Sequence, residues 1–330
     1  MSILNNIKFI YNKHRGIVAF FLLFIIVALF LLYMRDKGES WEILFNLTYK
    51  KIILLLIVSL LFKVILGYNF RVLIGFFKIR LSFKEWFGLS NLSVMTSYFL
   101  PIKGGMAVQA VYLKKVYKLR YTFFLNSVVT FYTLILFSNA IAGIVLSILV
   151  FGIGTFRGNS VLIFFISIAI ASSLIFVITY YMPKARTRWR SLGNFFEGFK
   201  KFHKQPKRLL KVVFYGMMLM FAAMLRLWFA FWALGIEIEF IQVTMITLIT
   251  SFSMFISITP GSLGIKEFFI IASGVALGIA PTHVAVAALL DRIVDILVTF
   301  ILGAVFAYIF TRKGLSGLKD IPDSLAKYEN

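Results

Sequence analysis

The sequence predicts an all-α polytopic membrane protein with about six full spans and two re-entrant helical hairpins, arranged as an inverted repeat. Three observations carry that reading. Of 330 residues, 61% are hydrophobic and only 15% are charged, whereas a soluble domain is roughly 45–50% apolar and about 25% charged. The charges fall in short blocks between apolar runs long enough to cross a bilayer. Two of those runs are broken by Pro and Gly, in Leu100-Pro101-Ile102-Lys103-Gly104-Gly105 and in Thr259-Pro260-Gly261-Ser262-Leu263-Gly264. A break at membrane depth exposes backbone N–H and C=O groups that lipid cannot satisfy, so it is tolerated only where protein or water surrounds it.

The elements follow in order. Residues 1–15 form a basic, cytoplasmic N-terminus, and 16–34 are an uncleaved first span, too long for a signal-peptide core. A mixed-charge segment, 35–46, suits the outer face. The second span, 49–68, returns inward, with Lys63 near its inner end, where a long side chain snorkels. Arg71, Lys78, Arg80 and Lys84 mark the inner loop. A helix over 83–100 stops at Pro101, and a second arm over 106–117 runs back into Lys114, Lys115, Lys118 and Arg120. Twelve residues reach only about 18 Å, too short for a ~30 Å core, which predicts a hairpin entering from the cytoplasm. Two full crossings, eight spans in all, would leave the outer topology unchanged.

Residues 121–152 span outward and 161–181 return. The segment 184–211 then holds ten Lys and Arg against one acid, Glu197, and fixes the cytoplasmic side. Aromatic and aliphatic residues at helical spacing among those charges predict an interfacial helix. Residues 212–235 go out, 241–258 enter from outside, and 265–277 exit. A turn at 280–282 leads to the last span, 284–310, and 311–330 form a cytoplasmic tail. Residues 16–152 and 153–310 thus share one plan, with Pro101 and Pro260 each followed four places on by a glycine, Gly105 and Gly264. Three crossings per half is an odd number, so the second half lies inverted, the plan of many secondary transporters.

A net charge of +22 fits either a nucleic-acid binder or a membrane protein, and its block distribution favours positive-inside topology and anionic lipid over nucleic acid. With no Cys there is no thiolate metal site or Cys nucleophile. His14, His203 and His283 show no metal-ligand spacing, and no cofactor is expected.

Candidate substrate-binding residues gather at the breaks. The helix opening at Gly264 offers free N–H groups to a phosphate or carboxylate, with Gly261 permitting close approach and Ser262 donating. The alternative is that these glycines only allow tight helix packing. Lys103, beside Gly104 and Gly105, either faces a cavity or, if the hairpin crosses, lies at the outer surface. Glu267, Arg292 and Arg226 fall at depths where ionisable groups are functional candidates. Glu267 is expected to pair with Arg292 or Arg226 until substrate displaces it. Asp291 and Asp295, four apart and so on one helix face, are a proton relay or counter-charges for Arg292. Asn91, Gln109, Asn126 and Asn139 read as interhelical hydrogen bonds.

Pro260-Gly261-Ser262-Leu263-Gly264-Ile265-Lys266-Glu267 and Leu289-Leu290-Asp291-Arg292 resemble the lysylphosphatidylglycerol synthase transmembrane-region family, flippase-like proteins, over about residues 10–312. Where members of that family carry an acid and an Arg after the first tip, this chain has Met106 and Gln109. The resemblance implies lipid translocation in a prokaryotic cytoplasmic membrane. No soluble aminoacyl-transfer domain follows, so lysyl transfer is not expected. The anticipated substrate is an anionic phospholipid or a polyprenyl-phosphate-linked lipid. The competing classes are a membrane enzyme using Glu267 and Asp291 on a lipid-linked substrate, and a scaffold recruiting partners through 184–211.

Overall fold

The computed structural model describes residues 47–100, 104–152, 156–181, 202, 204–256 and 259–312. Nine α-helices account for most of these residues: α1 Tyr49–Ile74, α2 Phe83–Ser97, α3 Met106–Tyr117, α4 Tyr121–Phe151, α5 Phe156–Tyr181, α6 Pro206–Ala233, α7 Phe240–Thr250, α8 Ile265–Ala276 and α9 Pro281–Arg312. Short 3-10 turns follow α1 (Gly75–Phe77) and α7 (Ser251–Met254), and a third, Pro260–Ser262, precedes α8. Among the described residues there is no strand, and α1, α4, α5, α6 and α9 are the helices long and apolar enough to cross a membrane. The predicted span 16–34, Lys103, His14, His203, most of the basic segment 184–211 and the tail beyond 312 lie outside the described residues.

Local sequence sets the helix ends. At the start of α2 the Ser82 backbone N–H and hydroxyl both donate to Glu85 Oε2, at 2.8 and 2.7 Å, the glutamate half of a capping box. The other Glu85 oxygen accepts from the Tyr112 and Tyr117 hydroxyls at 2.9 and 2.6 Å, tying the end of α3 to the start of α2. Lys118, left-handed at φ 56°, stops α3. Pro206 and Pro281 stand where α6 and α9 begin, positions at which the missing N–H is not needed. Arg208 donates to the Gly75 carbonyl, docking the start of α6 on the end of α1.

Two differences from the sequence expectation follow from those ends. Helix α1 does not stop near Tyr68 but continues to Ile74, burying Phe70, Leu73 and Ile74. Lys63 is therefore in the body of the helix and does not snorkel; it is 1% exposed. Pro281 and Thr282 belong to α9 and not to a free turn.

Contacts between elements fall into matched sets. Helix α1 packs on α2 and α6 on α7; α2 packs on α3 and α7 on α8; α3 meets α4 and α8 meets α9. Across the middle, α1 packs on α6, α9 on both α1 and α2, and α4 on both α6 and α7. Small residues allow the α2–α9 approach: a Cβ on Gly88 would enter the Phe306 ring, and one on Gly303 would enter Met95. Helix α5 packs on α4, sets a buried Phe165 against Met245 and Phe252, and turns side chains such as Ile170 and Leu174 outward, as a lipid-facing helix does.

The core has separate apolar clusters. One joins Leu55 of α1 to Leu227 and Phe231 of α6, Ile246 of α7, Ile270 of α8 and Val294 of α9. Another gathers Phe70, Trp86, Phe87, Leu113 and Phe306 where α1 and α9 end and α2 begins. A third joins α1, α4 and α6 through Ile65, Ile135 and Leu219. Between them a cavity stays open.

Candidate functional site

The cavity has a volume of about 360 Å³, within the usual range for ligand sites of roughly 300–1,000 Å³. One part of its wall is ionic. It carries Lys63 from α1, Arg226 from α6, Lys266 from α8, and Asp291, Arg292 and Asp295 from α9. Asp291 and Asp295 are one turn apart, so both reach Arg226: its Nε donates to Asp291 Oδ1 at 2.5 Å and a terminal nitrogen to Asp295 Oδ1 at 2.7 Å. Lys63 Nζ donates to the same Asp295 oxygen at 2.8 Å and to Thr299 Oγ1 at 2.6 Å. Lys266 Nζ completes the chain on Asp291 Oδ2 at 2.7 Å. Each aspartate therefore serves two cations.

The second break lies against this chain. Gly261, Ser262 and Gly264 all take positive φ, at 58°, 56° and 80°, which glycine accepts and serine does not favour. The turn aims the Gly261 carbonyl at Arg292, which donates to it at 2.6 Å. It also leaves the first N–H groups of α8 free, and the Gly264 N–H is taken by Glu267 Oε2 at 2.8 Å. Glu267 Oε1 comes within 3.0 Å of Arg292 Nε, but the approach is not aligned as a hydrogen bond, so neither atom has its hydrogen-bond partner. The Arg292 guanidinium lies over the Tyr98 ring, 5.4 Å from its centroid.

Tyr98 brings the first break to the second. It follows the last residue of α2, and a Cβ on Gly261 would run into its ring. Gly105, at the start of α3, packs so closely on the Ser93 carbonyl and the Ser97 hydroxyl that it admits no side chain. Gly104 precedes it in the same turn. The two interrupted segments thus meet beside the ionic wall.

The remaining wall is of two kinds. Hydroxyls of Ser90, Ser93, Ser97, Thr250 and Ser253 face the cavity, and Ser90 Oγ and Thr250 Oγ1 are buried with no hydrogen-bond partner. An apolar arm runs down α1 through Phe62, Leu66, Phe70 and Leu73, opposite Phe124 and Val128 of α4 and Leu219 of α6. The helical spacing of the α1 residues puts them in one stripe.

Most of the site residues expected from sequence therefore come together: Arg226, Gly261, Ser262, Glu267, Asp291, Arg292 and Asp295. Glu267 approaches Arg292, one of the two partners expected for it. Two pairings differ from expectation. Asp291 and Asp295 are not counter-charges for Arg292 in hydrogen bonds; they hold Arg226, Lys63 and Lys266. Asn91 bonds the Phe87 carbonyl one turn back on its own helix, at 2.8 Å, and does not bridge helices. Lys63 and Lys266 were not anticipated as site residues. Among the described residues no cluster of His, Asp and Glu could hold a metal.

A helical membrane protein with a buried ionic wall, two facing backbone breaks and an apolar arm is the class of molecule these features define. The profile of the lysylphosphatidylglycerol synthase TM region matches residues 17–303, and the chain belongs to that family. It is also similar to UPF0104 membrane protein PH1989 of Pyrococcus horikoshii, 28% identical over 134 residues, 40% of each chain. UPF0104 membrane protein MJ1595 of Methanocaldococcus jannaschii is 31% identical over 125 residues, 38% of this chain and 37% of that relative. The similarity spans about two-fifths of the length of these relatives.

Proposed function

We propose that this protein moves an anionic lipid, a phospholipid or polyprenyl-phosphate-linked lipid, between leaflets, its phosphate passing the ionic wall while its tail stays in apolar surroundings. One observation carries the reading: four cations at the cavity wall, Lys63, Arg226, Lys266 and Arg292, meet only three carboxylates, Glu267, Asp291 and Asp295. An excess of positive charge at membrane depth is costly and marks a site for an anion. The Glu267 carboxylate, on the Gly264 N–H and beside Arg292, occupies the place a phosphate oxygen would take at a helix start. Substrate displaces it from those two groups, gaining the Gly264 N–H and Arg292 Nε together, while the carboxylate stays within the buried cluster. The stripe Phe62, Leu66, Phe70, Leu73 receives the tail.

The matched contacts support an inverted repeat. Exchanging α1, α2, α3 and α4 for α6, α7, α8 and α9 turns every described contact among them into another that is present. On this reading the short helix pairs α2–α3 and α7–α8 are re-entrant hairpins entering from opposite faces. Lys114, Lys115, Lys118 and Arg120, with Lys207 and Arg208 docked beside the end of α1, mark the cytoplasmic end. Rocking one half on the other parts Tyr98 from Gly261 and exposes the site to each side in turn.

The test is transfer of a fluorescent phospholipid between leaflets in reconstituted vesicles. Protein-dependent movement of a phosphatidylglycerol probe, with little movement of a phosphatidylcholine probe, is expected. Rates equal to those of empty vesicles for every anionic probe would reject translocation.

A further inference from the structure

The charge count of the buried cluster narrows the substrate further, on the assumption that the translocation reading holds. Among the described residues the cluster contains four cations, Lys63, Arg226, Lys266 and Arg292, and three carboxylates, Glu267, Asp291 and Asp295. The carboxylates do not neutralise the cations; one positive charge is left over. Its location is also given. Both aspartates are hydrogen-bonded to their cations, whereas Arg292, 7% exposed, has an Nε with no aligned acceptor. Tyr98 adds an aromatic face to Arg292 and no formal charge. Glu267 stands 3.0 Å from Arg292 and matches it, so the surplus is carried on the cavity wall by Lys63, Arg226 and Lys266, three cations on two aspartates, next to an Arg292 whose Nε is open to an acceptor.

We propose that the site selects lipids whose phosphate carries one negative charge, phosphodiesters, over phosphomonoester dianions. A diester monoanion brings the cluster to neutrality. A dianion carries it past neutrality to a buried negative charge, which low-dielectric surroundings disfavour, or must take up a proton on entry. The groups facing the phosphate are Lys63 of α1, Tyr98 beyond α2, Tyr132 of α4, Arg226 of α6, Lys266 and Glu267 of α8, and Asp291, Arg292 and Asp295 of α9. Histidine is not among them. The monoester phosphate itself has its second pKa at about 6.

The experiment is lipid binding to the purified, detergent-solubilised full chain by native mass spectrometry. The probes are dioleoyl phosphatidylglycerol, dioleoyl phosphatidic acid and dioleoyl phosphatidylcholine. At about pH 8 the diester is expected to bind at least about tenfold more tightly than phosphatidic acid, and the difference to shrink towards none at about pH 5, where the monoester is a monoanion. Asp295→Asn adds one positive charge to the cluster and is expected to erase or invert the preference at pH 8. Lys266→Gln, at a more exposed side chain, removes one and is expected to abolish discrimination of phosphatidylglycerol from phosphatidylcholine. Equal binding of both anions at pH 8, a preference for phosphatidic acid there, or ratios unmoved in both variants would overturn charge selection while leaving anion binding intact. Failure of either anion to bind better than phosphatidylcholine would overturn the translocation reading and this inference with it.

Discussion

Arg292→Ala is expected to lower the rate of anionic lipid transfer by about a hundredfold, since it removes the cation that the substrate phosphate is proposed to pair with, and truncating one partner of such a buried charge pair costs about 2–5 kcal/mol. Arg292 is the one cation on the wall that touches both the Pro-Gly turn, through the Gly261 carbonyl, and the carboxylate a phosphate would displace. Arg292→Lys keeps the charge but loses the fork that reaches Gly261 and Glu267 at once, so it should fall between the wild type and Arg292→Ala. Both variants should reach the membrane in normal amounts, because the structural ion chain through Arg226 does not include Arg292. The leaflet assay, with membrane abundance measured beside it, checks this. Wild-type transfer by Arg292→Ala would remove this residue from the path.

Arg226→Met should act on stability. Arg226 is 3% exposed and is the link between Asp291 and Asp295. Its loss leaves two buried carboxylates leaning on Lys266 and Lys63 alone. Removing one partner of a buried pair costs about 3–5 kcal/mol, enough to lower the midpoint of thermal unfolding in detergent by roughly 10 °C. Arg226→Met combined with Asp291→Asn should recover part of that loss, because the stranded charge is removed with its partner. A double variant no more stable than Arg226→Met would mean that Arg226 contributes by packing on Phe62 and not through the aspartates.

Much of this was legible in the chain. The 106–117 arm and the helix opening at Gly264 appear where Gly and Pro bracket short apolar runs, because those residues determine local backbone whatever surrounds them. The ionisable residues of 267, 291, 292 and 295 stood out for a related reason: hydrocarbon tolerates few charges, so each one is a signal. Part of the pairing is not legible. Lys63 reads as a helix-end residue because Arg71, Lys78, Arg80 and Lys84 mark a basic loop just beyond it; in the structure Phe70, Leu73 and Ile74 continue the buried face. A span with Lys63 at its middle needs an internal acid, and Asp295 was available as the missing signal. Lys266 carries no sequence signal of its own beside Glu267, although the two α8–α9 pairs, 266 with 291 and 267 with 292, run in register. The hydroxyl wall was not readable, because Ser90 and Thr250 become neighbours of one cavity only when α2 and α7 converge on it.

The proposed transport requires Tyr98 and Gly261 to separate, and that can be measured in a chain that contains no cysteine. A Cβ at Gly261 would lie close enough to Tyr98 for a disulfide between Tyr98→Cys and Gly261→Cys, and removing the ring relieves the clash. With the pair oxidised, leaflet transfer of phosphatidylglycerol should stop, and a reductant should restore it in the same vesicles. A cross-linked protein that moves lipid as fast as its reduced form would contradict the mechanism.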